Sequence, residues 1–189
     1  MAGERKQQIL ETLAKMLEAP KQEKITTANL AAKLSVSEAA LYRHFANKAQ
    51  MFEGLIRFIE ETMFSLINKI NAEDTDGNMQ VQRIMTMLLA FAEKNPGMAR
   101  VLIGDALVNE DEKLQLRINQ LVDRLEVTLK QSLKIAQATE INAGTQISPE
   151  AQANLMMCYV IGRWHQYAKS GFKRKPMEYA QQQVMQCLI

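Results

Sequence analysis

The sequence predicts an almost all-helical protein, and three observations carry that expectation. Glycine and proline are scarce, at 8 and 4 of 189 residues. Leu, Ala, Met, Gln, Glu and Lys dominate, and all are good helix formers. Apolar residues recur at the three-to-four-residue spacing of a helix through most of the chain. With 47% apolar residues the chain can bury a real core, which excludes disorder as its class.

The elements follow in order. Ile9, Leu10, Leu13, Met16 and Leu17 predict a helix over 4–18, closed by Ala19-Pro20-Lys21. After a link rich in Lys and Gln, Thr26 or Thr27 caps a short helix carrying Leu30, Ala31 and Leu34. Ser35-Val36 turns the chain, and Ser37 caps a second short helix running to Phe45. This is a helix-turn-helix pattern. Asn47 and Gln50 form an approximate capping box for a long helix with Met51, Phe52, Leu55, Ile56, Ile59, Met63, Leu66, Ile67 and Ile70 on its apolar face, ending near Asn71.

A polar link over 72–78, containing Gly77, is the clearest break in the first half. The helix that resumes by Gln80 is apolar on most faces and should be central. Asn95-Pro96 supplies an N-cap and a first helical proline for another helix to about Leu107. Residues 110–137 carry Leu114, Ile118, Leu121, Leu125 and Leu129 along one stripe. A loop over 139–147 holds Gly144, after which Ser148-Pro149-Glu150 starts a helix reaching Ser170-Gly171. Phe172-Lys173-Arg174-Lys175-Pro176 leads into a short terminal helix. The chain divides into a helix-turn-helix unit over 1–47 and a helical dimerisation and partner-binding unit over 48–189.

Charge points to where nucleic acid would bind. The net charge is only +2, but through Arg57 nine Lys/Arg stand against six Asp/Glu, leaving fourteen against fifteen beyond. A helix-turn-helix lays its second helix in the major groove, where base edges differ, while flanking groups hold phosphates. On that helix Val36, Ala40, Leu41 and Phe45 form the inward set, leaving Ser37, Glu38, Ala39, Tyr42 and Arg43 outward. Lys48 opens the next helix, where its ammonium and the positive end of the helix dipole can face one phosphate.

The stretch from Thr26 to Lys48, with Ser37-Glu38-Ala39-Ala40-Leu41-Tyr42-Arg43-His44-Phe45 at its centre, resembles the DNA-binding signature of TetR-type regulators. The resemblance implies a TetR-like fold, with Tyr42, His44 and Lys48 holding the DNA backbone. It places Thr27, Ser37, Glu38, Ala39 and Arg43 where backbone or bases are commonly touched. Glu93-Lys94-Asn95-Pro96-Gly97-Met98, Arg117–Leu121 and Phe172–Pro176 extend the likeness to nearly the whole chain and resemble the nucleoid-occlusion branch of that family. That resemblance implies binding to palindromic chromosomal double-stranded DNA and, when DNA-bound, antagonism of polymers of the tubulin-like division GTPase FtsZ. The implied groove for the FtsZ tail lies between Phe52–Leu66 and Ile84–Arg100, with Phe58, Lys94 and Asn95 its best-matching residues. Leu66 stands where the branch usually has arginine, and only Arg5 and Lys6 stand where it has a longer basic arm. Fewer basic residues mean fewer phosphate contacts. Read without the resemblance, Phe58 is a core aromatic and Asn95 an N-cap before Pro96.

The remaining features are quieter. Trp164 and His165 read as packed or interface residues, and Lys173-Arg174-Lys175 as a solvated link. The helix from Ser148 carries one stripe of Leu155, Cys158, Tyr159 and Gly162 and another of Met156, Val160, Trp164 and Tyr167, so it can serve both the core and a second subunit. By the same family resemblance, residues 110–137 and 149–170 pair in a homodimer. With two histidines and no Gly-rich phosphate loop, no catalytic, metal or cofactor site is expected, and the chain is not expected to be an enzyme. Cys158 and Cys187 are too few for a disulfide scaffold, and no apolar run approaches the roughly 20 residues of a membrane span. A cytoplasmic, nucleoid-associated location is expected. The competing reading is a ligand-responsive TetR-type repressor, which needs an apolar cavity with a few polar anchors in the second unit.

Overall fold

In the computed structural model, which describes residues 2–19, 25–139 and 147–188, nine α-helices and one 3-10 turn follow the predicted order, with no strand among those residues. They are α1 (Ala2–Met16), α2 (Thr27–Lys33), α3 (Glu38–Tyr42), α4 (Lys48–Glu73), α5 (Gly77–Lys94), α6 (Pro96–Leu102), the 3-10 turn Asp105–Leu107, α7 (Glu112–Thr139), α8 (Pro149–Lys169) and α9 (Ala180–Gln186). Among the described residues no helix is long and apolar enough to cross a membrane. The link with Pro20 and the loop with Gly144 fall on 20–24 and 140–146, outside the described residues.

The apolar stripes dictate the packing. Ile9 and Leu13 of α1, and Leu17 just after it, are buried where α1 packs on α2, α4 and α6, and the predicted face of α4 is buried from Met51 to Ile70 with one exception. Leu66 is 40% exposed, because it lines the open groove between α4 and α5. Helix α5 is central, packed by α4, α6, α7, α8 and α9. The stripe on α7 is buried throughout and continues to Leu133. Trp164 of α8 has no exposed surface, and its indole N–H donates to the Leu88 carbonyl at 3.0 Å, so the largest side chain of the body also satisfies its one polar atom. The other stripe of α8 faces outward: Leu155, Cys158 and Gly162 are exposed, as is His165.

Boundaries differ from the periodicity where tertiary packing intervenes. Helix α3 stops at Tyr42 instead of Phe45, and the N–H groups of His44 and Phe45 both turn back to the Leu41 carbonyl, at 2.9 and 3.1 Å. That tighter turn drops the Phe45 ring into the core. The link expected over 72–78 shrinks to 74–76, because Asp76 accepts from the N–H groups of Asn78 and Met79 and caps α5. Gly77 therefore opens a helix rather than breaking one. A Cβ there would lie 2.2 Å from the Ser132 carbonyl oxygen and 2.3 Å from the Ala136 nitrogen, so only glycine lets α5 seat on α7. Helix α6 ends at Leu102, short of Leu107, where Gly104 (φ +75°) turns the chain into the 3-10 segment.

Close backbone contacts fix the end of α1 and the residues after it to α6. A Cβ on Gly97 of α6 would stand 2.0 Å from the Ala14 carbonyl oxygen, which measures how closely the two helices approach. Buried Arg100 donates to the Ala19 carbonyl at 3.0 Å while its guanidinium lies 4.9 Å from the Phe172 ring centroid. On the other side Glu60 of α4 pairs with Arg117 and Arg124 of α7.

Candidate nucleic-acid interface

The helix-turn-helix is built by two caps and a turn. The Thr26 hydroxyl accepts from the Asn29 N–H at 3.1 Å, and the Ser37 hydroxyl from the Ala40 N–H at 3.3 Å. Between them Ser35 takes a left-handed conformation (φ +54°), reversing the chain. Leu30, Ala31, Leu41 and Phe45 are buried and lock α2 to α3, with Val36 and Ala40 half-buried beside them. The inward set is therefore the predicted one. Ser37, Glu38, Ala39, Tyr42 and Arg43 are all exposed, with His44 half-buried behind them.

Three of the predicted site residues are joined in one chain. The Thr27 hydroxyl donates to a Glu38 carboxylate oxygen at 2.5 Å, and the Tyr42 hydroxyl donates to Thr27 Oγ1 at 3.4 Å. The Tyr42 ring is thereby held across the mouth of the two short helices. Arg43, the C-cap of α3, faces solvent. Asn47 caps α4 by accepting from the Gln50 N–H at 2.9 Å, while the Gln50 amide oxygen takes the Ala46 N–H at 2.9 Å, so the reciprocal bond falls one residue earlier than the box predicts.

Lys48 is more constrained than its place in the signature implies. Its ammonium is ion-paired with Glu110, sixty-two residues away, and lies 5.7 Å from the Phe52 ring centroid. Glu110 was not legible as part of this region, since no periodicity or motif links it to residue 48. Arg5 and Lys6 belong to α1 rather than to an arm: Arg5 donates to the Gln8 amide oxygen, and the Lys6 ammonium lies 5.8 Å from the Phe45 ring centroid.

The residues matched to a partner groove lie around two different recesses. Phe58 is 41% exposed and lines a cavity of about 320 Å³ with Lys6, Leu10, Phe45, Arg57 and Met98, so it is not the core aromatic that the reading without the resemblance makes it. Asn95 lines a smaller recess with Glu11, Lys15 and Met98. Its side-chain amide donates to the Phe91 carbonyl at 2.7 Å and makes no capping bond to α6, so Pro96 rather than an Asn95 side chain starts that helix. Lys94 is exposed at the end of α5. The groove between α4 and α5 proper is floored by Leu66, Ile70, Met87 and Ala90. At its far end Arg83 binds Glu73 and Asp74, and the hydrogen bond from Arg83 holds the Glu73 carboxyl below its ordinary value.

The whole of this arrangement has known counterparts. Residues 9–55 match the family model of bacterial regulatory proteins of the tetR family, and residues 75–188 match the SlmA-like model described as a tetracyclin repressor-like C-terminal domain. The nucleoid occlusion factor SlmA of Alteromonas mediterranea is 51% identical over 176 residues, covering 92% of this chain and 89% of the relative. That of Shewanella pealeana is 48% identical over 179 residues, covering 95% and 90%. Among solved structures, a TetR transcription regulator from Haloarcula marismortui superposes with a TM-score of 0.81 at 16% identity, covering 98% of this chain and 96% of that one. PfmR of Thermus thermophilus does so with a TM-score of 0.74 at 20% identity, covering 95% and 96%. At those identities the solved structures speak for the fold alone, whereas the sequence relatives and both matched models decide the branch: the chain belongs to the SlmA family of nucleoid occlusion factors, within the TetR-type DNA-binding regulators.

Proposed function

We propose that this nucleoid occlusion factor acts as a homodimer on palindromic chromosomal sites and there antagonises FtsZ assembly, so blocking septum formation over the nucleoid. The helix-turn-helix unit over 1–47 binds DNA, and the body over 48–189 dimerises and engages FtsZ. Tyr42, His44 and Lys48 hold phosphates, while Thr27, Ser37, Glu38, Ala39 and Arg43 face backbone or bases. The observation that carries the DNA side of this reading is the sorting of α3, whose polar and small residues are exposed together while Leu41 and Phe45 are buried.

Exposed Phe58 of α4 and exposed Lys94 of α5 support FtsZ engagement of the body, and Asn95, which makes no capping bond to α6, follows Lys94 directly. Exposed Leu116 and Val127 of α7 and Leu155 of α8 support pairing of those helices with a second copy. The interior between α5, α7 and α8 is filled by Met85, Leu88, Leu125, Leu129, Met156 and Trp164, none of which has exposed surface. That filling favours nucleoid occlusion over a ligand-responsive repressor. No catalytic step or cofactor belongs to this reading, and it places the protein in the cytoplasm on the nucleoid.

The deciding experiment follows FtsZ assembly by light scattering with GTP, adding the protein with a specific palindromic DNA or with a scrambled duplex. Suppression that requires the palindrome is expected. Undiminished assembly in both cases would leave a DNA-binding regulator without this partner.

A further inference from the structure

The ammonium of Lys48 already has an anion. Glu110 reaches it from the turn between α6 and α7, and the two side chains are 22% and 16% exposed, so the pair is partly shielded yet within reach of solvent. The Phe52 ring backs the ammonium on another side. Glu110 is presented by an ordered turn. Its own N–H donates to the Leu107 carbonyl at 3.0 Å, Asn109 before it is left-handed (φ +65°), and Asp111 after it accepts from the Lys113 N–H at 2.9 Å. Further back Asp105 is tied to Lys169 and faces Arg100, so the start of the turn is anchored to the body.

A compact ammonium shared between two anions divides its attraction between them. A DNA phosphate approaching the start of α4 must displace the Glu110 carboxylate or crowd against it. We infer that Glu110 is an affinity-setting residue of the DNA interface: it holds Lys48 against the body and competes with the phosphate for that ammonium. The inference rests on the reading that Lys48 holds a phosphate. It adds a residue from the body, outside the helix-turn-helix, to the set that determines how tightly DNA is held.

The test is a double-mutant cycle on the full chain, titrating a fluorescent palindromic operator at several salt concentrations, with a thermal melt of each variant to establish that it folds. Glu110→Gln keeps the shape and removes the charge, and should tighten operator binding about two- to fivefold, the scale of one partly exposed ion pair. The gain should shrink in the Lys48→Ala background and fade as salt rises. An equal gain with and without Lys48 would overturn the inference, because Glu110 would then merely repel DNA at a distance. Weaker binding by Glu110→Gln would also overturn it, since the carboxylate would then be aiming Lys48 at its phosphate. If Lys48→Ala alone changed neither affinity nor salt dependence, the phosphate reading of Lys48 would fall first and the inference with it.

Discussion

Tyr42 shows how one side chain can belong to both the fold and the interface. Its hydroxyl is tied to Thr27, which is tied to Glu38, so the exposed ring is pre-oriented before any ligand arrives. Tyr42→Phe should therefore weaken binding to specific and scrambled duplexes alike, by about 1 kcal/mol or roughly fivefold, because it removes the one O–H that orients the free ring on Thr27 and that DNA binding would redirect to a phosphate. A change of base preference would assign Tyr42 to readout instead. Lys48→Ala should lower the salt slope of log K by about 0.9, one phosphate contact fewer. A different pair of residues separates the two proposed activities. Asn95→Ala should impair FtsZ antagonism with operator affinity kept, and Arg43→Ala should do the reverse, each read by the scattering assay beside an operator titration. Because Phe58 is 41% exposed, its truncation should cost less than the 3 to 5 kcal/mol or so of a core aromatic. Phe58→Ala is thus a usable third variant, and a melt near that of wild type is its check.

At the scale of elements, the tightest steric constraints lie where helices approach without side chains between them. Gly77→Ala places a methyl group against the backbone of α7, so α5 must shift. The expected cost is about 3 kcal/mol, at or above the upper end for overpacking, read as a lower urea midpoint at unchanged m. Gly162→Ala in α8, where the same added atom meets nothing within 4 Å, is the control and should stabilise the monomer by up to about 1 kcal/mol through helix propensity. The corner between α4 and α5 adds a pH signature. The Glu73 carboxyl is lowered from 4.5 chiefly by its hydrogen bond from Arg83, so its contribution is complete above 4.5 and is lost as pH falls through the lowered folded value. Arg83→Gln should flatten that part of the acid limb of a stability curve.

For the whole molecule the question is how two copies present two α3 helices. A two-fold dimer through α7 and α8 would set them into successive major grooves about 34 Å apart, so a palindrome should bind far more tightly per subunit than its isolated half-site. Equal affinity per monomer would exclude that arrangement. The cysteines offer an independent check. Cys158 is exposed on the outward stripe of α8, whereas burial pushes the Cys187 thiol up from its ordinary value. If α8 is the interface, both thiols should react slowly with a maleimide in the dimer. Leu155→Glu, which puts a charge on the same stripe, should yield monomers in which Cys158 alone reacts fast. Fast labelling of Cys158 in an intact dimer would place the interface elsewhere.

The sequence by itself determined the all-helical class, the order of the helices and the outward set of α3. Those follow from local periods and caps: Thr26, Ser37, Asn47 and Ser148 each accept the backbone N–H groups that their sequence positions imply. Tertiary packing decided what no local rule contains. It made Gly77 a seat for α7 instead of a break, left Phe58 exposed, left Leu66 exposed although its spacing was that of a core, and turned the Asn95 amide back to Phe91. It also brought Glu110 to Lys48 across sixty-two residues. The physical reason is common to all of these. Hydrophobic spacing reports which face of a helix can be buried, but which neighbour covers that face, how near its backbone comes and which charge it brings depend on how the helices pack together.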